Sequence, residues 1–166
     1  FLGYEIINQN ADDKHCRKQR SVNGATGLKV PVDVIREKCL KYMRYGKPIQ
    51  RAERLNDTDF SIIAQYQAEY RGVVQYYLKA FNVHRLRQLH QVMKLSLART
   101  LADKHRTSVT KVIRKYQPTV PTPHGRLKVL QAVRQRGEKK KPLVARFGGI
   151  ELRRQKDTVI NDRPPE

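Results

Sequence analysis

Apolar side chains recur every three or four positions along residues 57–116, the spacing of helices that each bury one face. Asp57 or Thr58 can cap the first of these helices. Its stripe consists of Ile63, Tyr66, Tyr70, Val74, Tyr77 and Phe81. Asn82 suits a boundary and the next cap. The following stripe, which runs to about His105, consists of Leu86, Leu89, Met93, Leu97 and Leu101.

Two shorter helices are predicted on either side of this pair. Pro31 suits a first helical turn, and Gly46 and Pro48 are expected to stop the helix that follows it. The apolar residues at helical spacing in this helix are Val34, Ile35, Cys39, Leu40 and Met43. Thr107 or Ser108 can cap a short helix over residues 109–116. Because helices joined by short links pack as antiparallel neighbours, residues 30–116 are predicted to form a small bundle.

The two ends of the chain have a different pattern. Residues 1–7 read as a strand and residues 28–30 as another, with a polar loop or irregular hairpin between them. After residue 116, three prolines fall within six residues, and short apolar stretches alternate with basic runs. We therefore predict a mainly α fold: a basic helical bundle preceded by a short β segment and followed by an irregular basic tail.

The charge of the chain points to a polyanionic ligand. Thirty-five Lys and Arg face fifteen Asp and Glu, a formal net charge of +20, and the excess extends over the whole chain. Residues 58–116 carry eleven basic and three acidic residues. Acidic partners for these cations are scarce, so nucleic acid phosphates are the natural counterions, although an ordinary solvated face is the alternative. An anionic membrane fits less well, because the apolar stripes are needed for the core.

The residues predicted to bind nucleic acid are mainly the cations of the helices and of the tail. Tyr76 is added because it points away from the core stripe, where it could stack on a base, although single exposed aromatics are common. The full set is Arg71, Tyr76, Arg85, Arg87, Lys94, Arg99, Lys104, His105, Arg106, Lys111, Arg114, Lys115, Lys139, Lys140 and Lys141.

Gly72 lies in the middle of a predicted helix, where glycine is unfavourable by about 1 kcal/mol relative to alanine. Either another helix or an RNA backbone is expected to approach it closely.

Catalytic and metal-binding signatures are not found in the sequence. A glycine-rich phosphate loop, an HExxH pair and a nucleophile elbow are all missing, and Asp12–Asp13 alone is too little for a two-metal site. Cys16 and Cys39 are expected to be reduced thiols rather than zinc ligands. No apolar run has the length of a membrane span. We expect no active site, bound metal or cofactor in this chain.

Several segments resemble group II intron maturases. Residues 70–77 read YRGVVQYY, similar to the family's RGI-NYY signature, with Gln75 where Asn is usual. Residues 96–105 read SLARTLADKH, similar to its S-L-x-x-T-L-A-x-K-H segment. The opening FLGY resembles the last motif of the reverse transcriptase palm, and residues 141–150 resemble the link toward a DNA-binding region and HNH endonuclease. The resemblance covers essentially the whole chain.

This resemblance implies three regions: the end of the palm at 1–29, the X (thumb) domain at 30–116, and a linker and basic extension at 117–166. The palm, with its catalytic aspartates and Mg²⁺, is expected upstream, so the chain would be part of an RNA-directed DNA polymerase. Implied partners are group II intron RNA (itself a Mg²⁺ binder), the template–primer duplex, target DNA through the extension, and the palm and fingers of the same or a split polypeptide. The implied location is the bacterial cytoplasm or a eukaryotic organelle.

A helical DNA-binding protein of transcription-factor type is the alternative, because the short helix at 109–116 could imitate a recognition helix.

Overall fold

The computed structural model describes residues 3–9, 15–16, 19–20, 25–137 and 140–155. Its α-helices are α1 (Val32–Leu40), α2 (Asp59–Tyr76), α3 (Arg87–Lys104) and α4 (Val109–Tyr116). Its strands form antiparallel pairs: β1 (Glu5–Gln9) with β4 (Ala25–Lys29), β2 (His15–Cys16) with β3 (Gln19–Arg20), β5 (Met43–Arg44) with β6 (Lys47–Pro48), β7 (Thr119–Thr122) with β8 (Gly125–Lys128), and β9 (Leu130–Arg134) with β10 (Leu143–Phe147). No helix in these ranges has the length and apolarity needed to cross a membrane.

The fold is mixed α/β, so the prediction of a mainly α protein was wrong in its proportions. The tail was expected to be irregular, yet it forms the β7–β8 and β9–β10 hairpins. In the second hairpin alternate residues face inward, and Leu130, Ala132, Ala145 and Phe147 are buried. The outward positions include exposed basic residues. Along the sequence, this mixture of apolar and basic residues therefore resembles a linker. The domain boundaries inferred from the sequence remain predictions.

The core lies between α2 and α3, where the sequence placed it. Tyr66, Tyr70 and Val74 of α2 are buried together with Leu89, Met93 and Leu97 of α3. The hydroxyls inside this core are paired, since Tyr66 Oη lies 2.9 Å from Ser96 Oγ, which itself donates to the Ile49 carbonyl at 2.6 Å. The predicted stripes are therefore confirmed as core except at Phe81, which is only partly buried.

Two of the predicted caps are also confirmed. Thr58 Oγ1 accepts a hydrogen bond from the Ser61 amide at 3.2 Å, which starts α2. Ser108 Oγ accepts from the Lys111 amide at 3.3 Å, which starts α4. Each hydroxyl satisfies one of the amides that a first helical turn leaves unpaired.

Other helix ends differ from the prediction. α2 ends at Tyr76 rather than near Phe81, and a 3-10 turn (Val83–Leu86) precedes α3. Asn82 makes no cap hydrogen bond; it is buried, donates to the Val30 carbonyl at 3.1 Å and accepts from the Val30 amide at 2.7 Å. These two hydrogen bonds pair the backbone amide and carbonyl of Val30 in a buried extended segment. Because buried backbone groups need partners, this long-range contact outweighs the preference of asparagine for a capping position.

The first helix ends earlier than expected, at Leu40. Gly46 and Pro48, predicted to stop it, belong instead to the β5–β6 hairpin that follows. Met43, which was placed at helical spacing, lies on β5.

Candidate nucleic-acid interface

Cations from two separate elements line a cleft between α3 and the β7–β8 hairpin. Arg87 on α3 and Arg126 and Lys128 on β8 are exposed along its walls, and Arg153 lines the far side. Lys94, two turns beyond Arg87 on α3, lies near enough to Lys128 to feel its charge. Burial and, to a lesser extent, Lys128 lower the pKa of Lys94. We call Arg87, Lys94, Arg126, Lys128 and Arg153 the α3–β8 cleft.

The floor of this cleft is a stack of rings. The His90 ring lies parallel to the Phe147 ring, with centroids 5.2 Å apart and planes 2° apart, and its centroid is 5.3 Å from that of Tyr70. Burial, followed by the charges of Lys94 and Arg87, lowers the pKa of His90 to about 4. His90 is therefore neutral at physiological pH, and stacking explains its position.

The Phe147–Gly148 segment matches part of the family-like link, and in the structure it packs on the helices. Gly148 has φ +93°, and its amide donates to Gln67 Oε1 at 2.9 Å. A Cβ at Gly148 would lie 3.0 Å from His90 Nε2, so a side chain would push into the ring stack. Glycine here permits close packing between the tail and α3.

Glu151 is the acidic residue that lines the cleft, and it is already paired. Its Oε2 lies 2.7 Å from His124 Nδ1, and its Oε1 accepts from the His124 amide at 3.0 Å. Within the described ranges, no acidic side chain forms an ion pair with the α3–β8 cleft residues. The cleft is therefore positively charged and suits an anionic ligand.

Lys104 and His105, at the far end of α3, have a different environment. Lys104 Nζ lies 2.8 Å from Asp59 Oδ1, His105 Nε2 lies 2.9 Å from Asp59 Oδ2, and the Tyr116 hydroxyl donates to Asp59 at 2.6 Å. Burial alone would raise the pKa of the Asp59 carboxyl, but hydrogen bonds from Lys104, Tyr116 and His105 lower it to about 2. We call Asp59, Lys104, His105 and Tyr116 the Asp59 cluster. It joins α2, α3 and α4, and the Asp59 carboxylate already neutralises the charge of Lys104.

The remaining predicted cations are spread over other surfaces. Arg99 donates to the Pro48 carbonyl, and Arg85 is exposed on the 3-10 turn. Lys115 lies over the Tyr116 ring, 5.0 Å from its centroid. The other exposed cations near α4 and in the tail are Arg106, Lys111, Arg114, Lys140 and Lys141. Lys139 lies outside the described residues. These cations therefore lie on several elements, outside the α3–β8 cleft.

Gly72 and Arg71 lie on a groove between α2 and β10, together with Gln75 and Arg146. No described protein atom lies within 4 Å of the position that a Cβ at Gly72 would occupy. Close packing of another helix is therefore not the reason for this glycine, and the approach of an RNA backbone stays a prediction. Tyr76 is half exposed as predicted, but its ring stacks on Tyr4, with centroids 5.6 Å apart.

Sequence reasoning missed the β8 cations Arg126 and Lys128, and also Arg153. The available signal was the net charge of the tail together with the alternation of Arg126, Leu127 and Lys128, which is typical of a strand with one charged face. Among the described residues no group of three or more His, Cys, Asp or Glu is placed to hold a metal ion. The pair Asp12–Asp13 lies outside them, and Cys39 is a buried thiol.

A basic cleft on a mixed α/β scaffold defines the class as a binding protein for polyanions. Residues 23–150 match the family model described as type II intron maturase, and the chain belongs to this family. It is 30% identical over 128 residues to the group II intron-encoded protein LtrA of Lactococcus lactis subsp. cremoris, covering 70% of this chain and 21% of that protein. It is 33% identical over 70 residues to Maturase K of Pinus parviflora, covering 42% of this chain and 14% of that protein. The chain thus spans about a fifth or less of the length of these relatives.

Proposed function

We propose that this chain is the RNA-docking region of a group II intron maturase, which binds the intron RNA and promotes its splicing. The observation that carries the proposal is the α3–β8 cleft, where cations of α3, β8 and the segment after β10 line one surface together with a single acidic side chain, Glu151, which is paired with His124. Holding like charges together is unfavourable unless a ligand such as a phosphate backbone neutralises them.

Shape supports RNA as the ligand. A-form RNA has a wide, shallow minor groove bordered by phosphates and 2′-hydroxyls, along which a basic helix can lie without reading the sequence. Arg87 and Lys94 lie on a helix that packs in the core, and β8 leads directly into the buried residues Val129 and Leu130, so the spacing of the cleft cations is preorganised. The intron RNA itself carries out splicing, and the protein stabilises its folded form.

A second role follows from the same surface: contact with the template–primer duplex during reverse transcription. Polymerisation would need a palm supplied by the same or another polypeptide, and Mg²⁺ would be held there and by the intron RNA. Contact with target DNA through the segment after β10 is part of the same proposal, as is a location in a bacterial cytoplasm or an organelle. Adding a separately expressed palm fragment to this chain and measuring cDNA synthesis tests the polymerase role.

Replacing three cleft cations tests the RNA-binding proposal. The variant Arg87→Gln/Lys94→Gln/Lys128→Gln should bind a structured RNA more weakly. The slope of log affinity against log salt should fall by about 2–3 units if each side chain contacts one phosphate. Fluorescence anisotropy over a salt series measures both quantities, and thermal melting confirms that the variant is folded.

The matched control is Arg36→Gln/Arg134→Gln/Arg136→Gln, which removes the same charge from exposed positions away from the cleft. Equal losses in the two variants would show a general field effect and contradict a local site. Competition between structured RNA and duplex DNA at constant salt separates the maturase proposal from that of a DNA-binding protein of transcription-factor type. The similarity to intron maturases does not support the second proposal.

A further inference from the structure

The β5–β6 hairpin turns through two residues that both have positive φ: Tyr45 at +50° and Gly46 at +73°. This is the pattern of a type I′ turn, in which Asn-Gly and Gly-Gly are favoured because neither strongly resists the left-handed conformation. Tyrosine is bulky and is unfavourable at such a position. Folding alone would therefore favour another residue at position 45.

Packing does not explain the tyrosine either. Its side chain is 90% exposed, more than any other large apolar side chain that the structure describes. By comparison, Tyr42, just before the same hairpin, is 5% exposed and packs in the core. The strained residue thus places its ring in solvent at the tip of a hairpin.

The hairpin itself is firmly attached to the helices. The Ile49 amide donates to the Tyr42 carbonyl at 3.0 Å, which closes its base. Ser96 of α3 donates to the Ile49 carbonyl at 2.6 Å, and Arg99 donates to the Pro48 carbonyl. The ring of Tyr45 is therefore presented from a fixed base, which reduces the entropy lost when a ligand binds.

Two cations lie on the strands of this hairpin, one on each side of the turn. The Arg44 guanidinium lies 5.4 Å from the centroid of the Tyr45 ring, and Lys47 pairs with Arg44 across the hairpin. Both side chains are exposed, and no acidic residue in the described ranges forms an ion pair with either. An exposed aromatic ring on a hairpin that also carries two exposed cations combines a stacking surface for a base with contacts for the adjoining phosphates.

We propose that the β5–β6 hairpin binds an unpaired nucleotide of RNA, with the base stacked on Tyr45 and the neighbouring phosphates held by Arg44 and Lys47. This site is separate from the α3–β8 cleft, which suits paired RNA, and it rests on the proposed RNA-binding function. A bulged or looped nucleotide is the matching ligand, because bases inside a duplex have no exposed face. An acidic protein surface could pair with the two cations, but such binding would not explain the exposed aromatic ring.

The test compares Tyr45→Asn with Tyr45→Phe in the full 166-residue chain. The probes are two fluorescein-labelled RNA duplexes of about twenty base pairs, one continuous and one carrying a single bulged adenosine. Tyr45→Asn should lower affinity for the bulged RNA by about 5- to 150-fold, the range for one lost base–aromatic stack, and leave affinity for the continuous duplex nearly unchanged. Tyr45→Phe should retain both affinities.

The melting temperature provides a second measurement, which Tyr45→Asn is expected to change in the direction opposite to its effect on bulge binding. Because asparagine tolerates positive φ better than tyrosine does, Tyr45→Asn should raise the melting temperature while it weakens bulge binding. In the wild-type chain, 2-aminopurine at the bulge should lose fluorescence on binding, and Tyr45→Asn should abolish this quenching.

Tight binding of the bulged RNA by Tyr45→Asn would overturn the proposal, as would an equal loss for the two RNAs. In either case the cleft variant described above reports separately on the proposed function. If the cleft variant loses RNA affinity and Tyr45→Asn does not, the hairpin proposal alone fails. If the wild-type chain binds neither RNA, the proposed function itself fails.

Discussion

Basic side chains lie along both halves of α3, but only the C-terminal half provides them with an acidic partner. Lys104 and His105 contact the Asp59 carboxylate at 2.8 and 2.9 Å. Arg87 and Lys94 instead lie beside the basic strand β8, and the described residues include no acid that pairs with them. Lys104 thus has a structural role, whereas Lys94 on the same helix is available to a ligand.

This difference teaches that a high net charge does not by itself identify a binding surface. In the Asp59 cluster the cations stabilise the junction of three helices. In the α3–β8 cleft they repel one another, so the folded state retains an unfavourable interaction that a phosphate backbone would relieve. The comparison predicts that removing charge destabilises the protein at one end of α3 and not at the other.

The largest effect is expected for Asp59→Asn. The substitution removes the charge that neutralises Lys104, whose side chain is 22% exposed, and weakens the hydrogen bond from Tyr116. We expect the free energy of unfolding to fall by about 2–3 kcal/mol, because a largely buried cation loses its partner. Urea denaturation measures this change. An RNA-binding salt slope equal to that of the wild type would confirm that the cluster is structural, and a reduced slope would contradict it.

Acid should act on the two ends of α3 in separate pH ranges. The folded pKa of His90, about 4, lies below its usual value of 6.5, so the unfolded chain binds more protons between these values. The contribution of neutral His90 to the free energy of unfolding is therefore fully present above pH 6.5. It falls by about 2–3 kcal/mol as the pH decreases from 6.5 to 4. The Asp59 carboxyl, with a folded pKa of about 2, loses its contribution only as the pH falls from about 4 to 2.

Denaturation of the wild type and of His90→Phe at pH 7, 5.5 and 4 separates these contributions. Phenylalanine keeps a ring against Phe147 but has no proton to gain. The variant should lose less stability than the wild type between pH 7 and 4. Identical pH profiles would show that His90 is not kept neutral by the fold.

The smallest effect, and the one of opposite sign, is expected for Lys94→Met. Methionine keeps the apolar stem and removes the charge that faces Lys128, so stability should rise by a few tenths of a kcal/mol. The matched substitution Lys104→Met should lower stability by about 1 kcal/mol, because it leaves Asp59 with fewer donors. Thermal melting of the pair measures both shifts; shifts of the same sign would remove the distinction between the two ends of α3.

Much of the helical part could be predicted because its signals are local. The stripes of α2 and α3 depend on spacings of three and four residues, and Thr58 and Ser108 cap helices that begin one residue later. The tail could not be predicted in this way. The hairpin β9–β10 joins strands separated by an eight-residue connection and is held by burial of Ala132 and Ala145 against α2. Local composition carries little information about such a contact.

For the candidate site, the sequence predicted Arg87 and Lys94 among the residues that bind nucleic acid, and the structure places both beside β8. It did not identify Arg126 and Lys128, since a strand residue joins the site only when the hairpin folds back on the helix. Tyr45 was missed because the spacing of Met43 suggested a helix that continued as far as Gly46, and such a helix leaves no place for a hairpin turn at Tyr45.

The amino-acid sequence by itself determined the helices, the apolar stripes, the excess of positive charge and the maturase family. The tertiary structure decided which cations are neutralised within the protein and which remain for a ligand. The physical reason is distance along the chain. Helix formation depends on neighbours within four positions, whereas Asp59 meets Lys104 across forty-five positions and Lys94 faces Lys128 only after the tail has packed on the core.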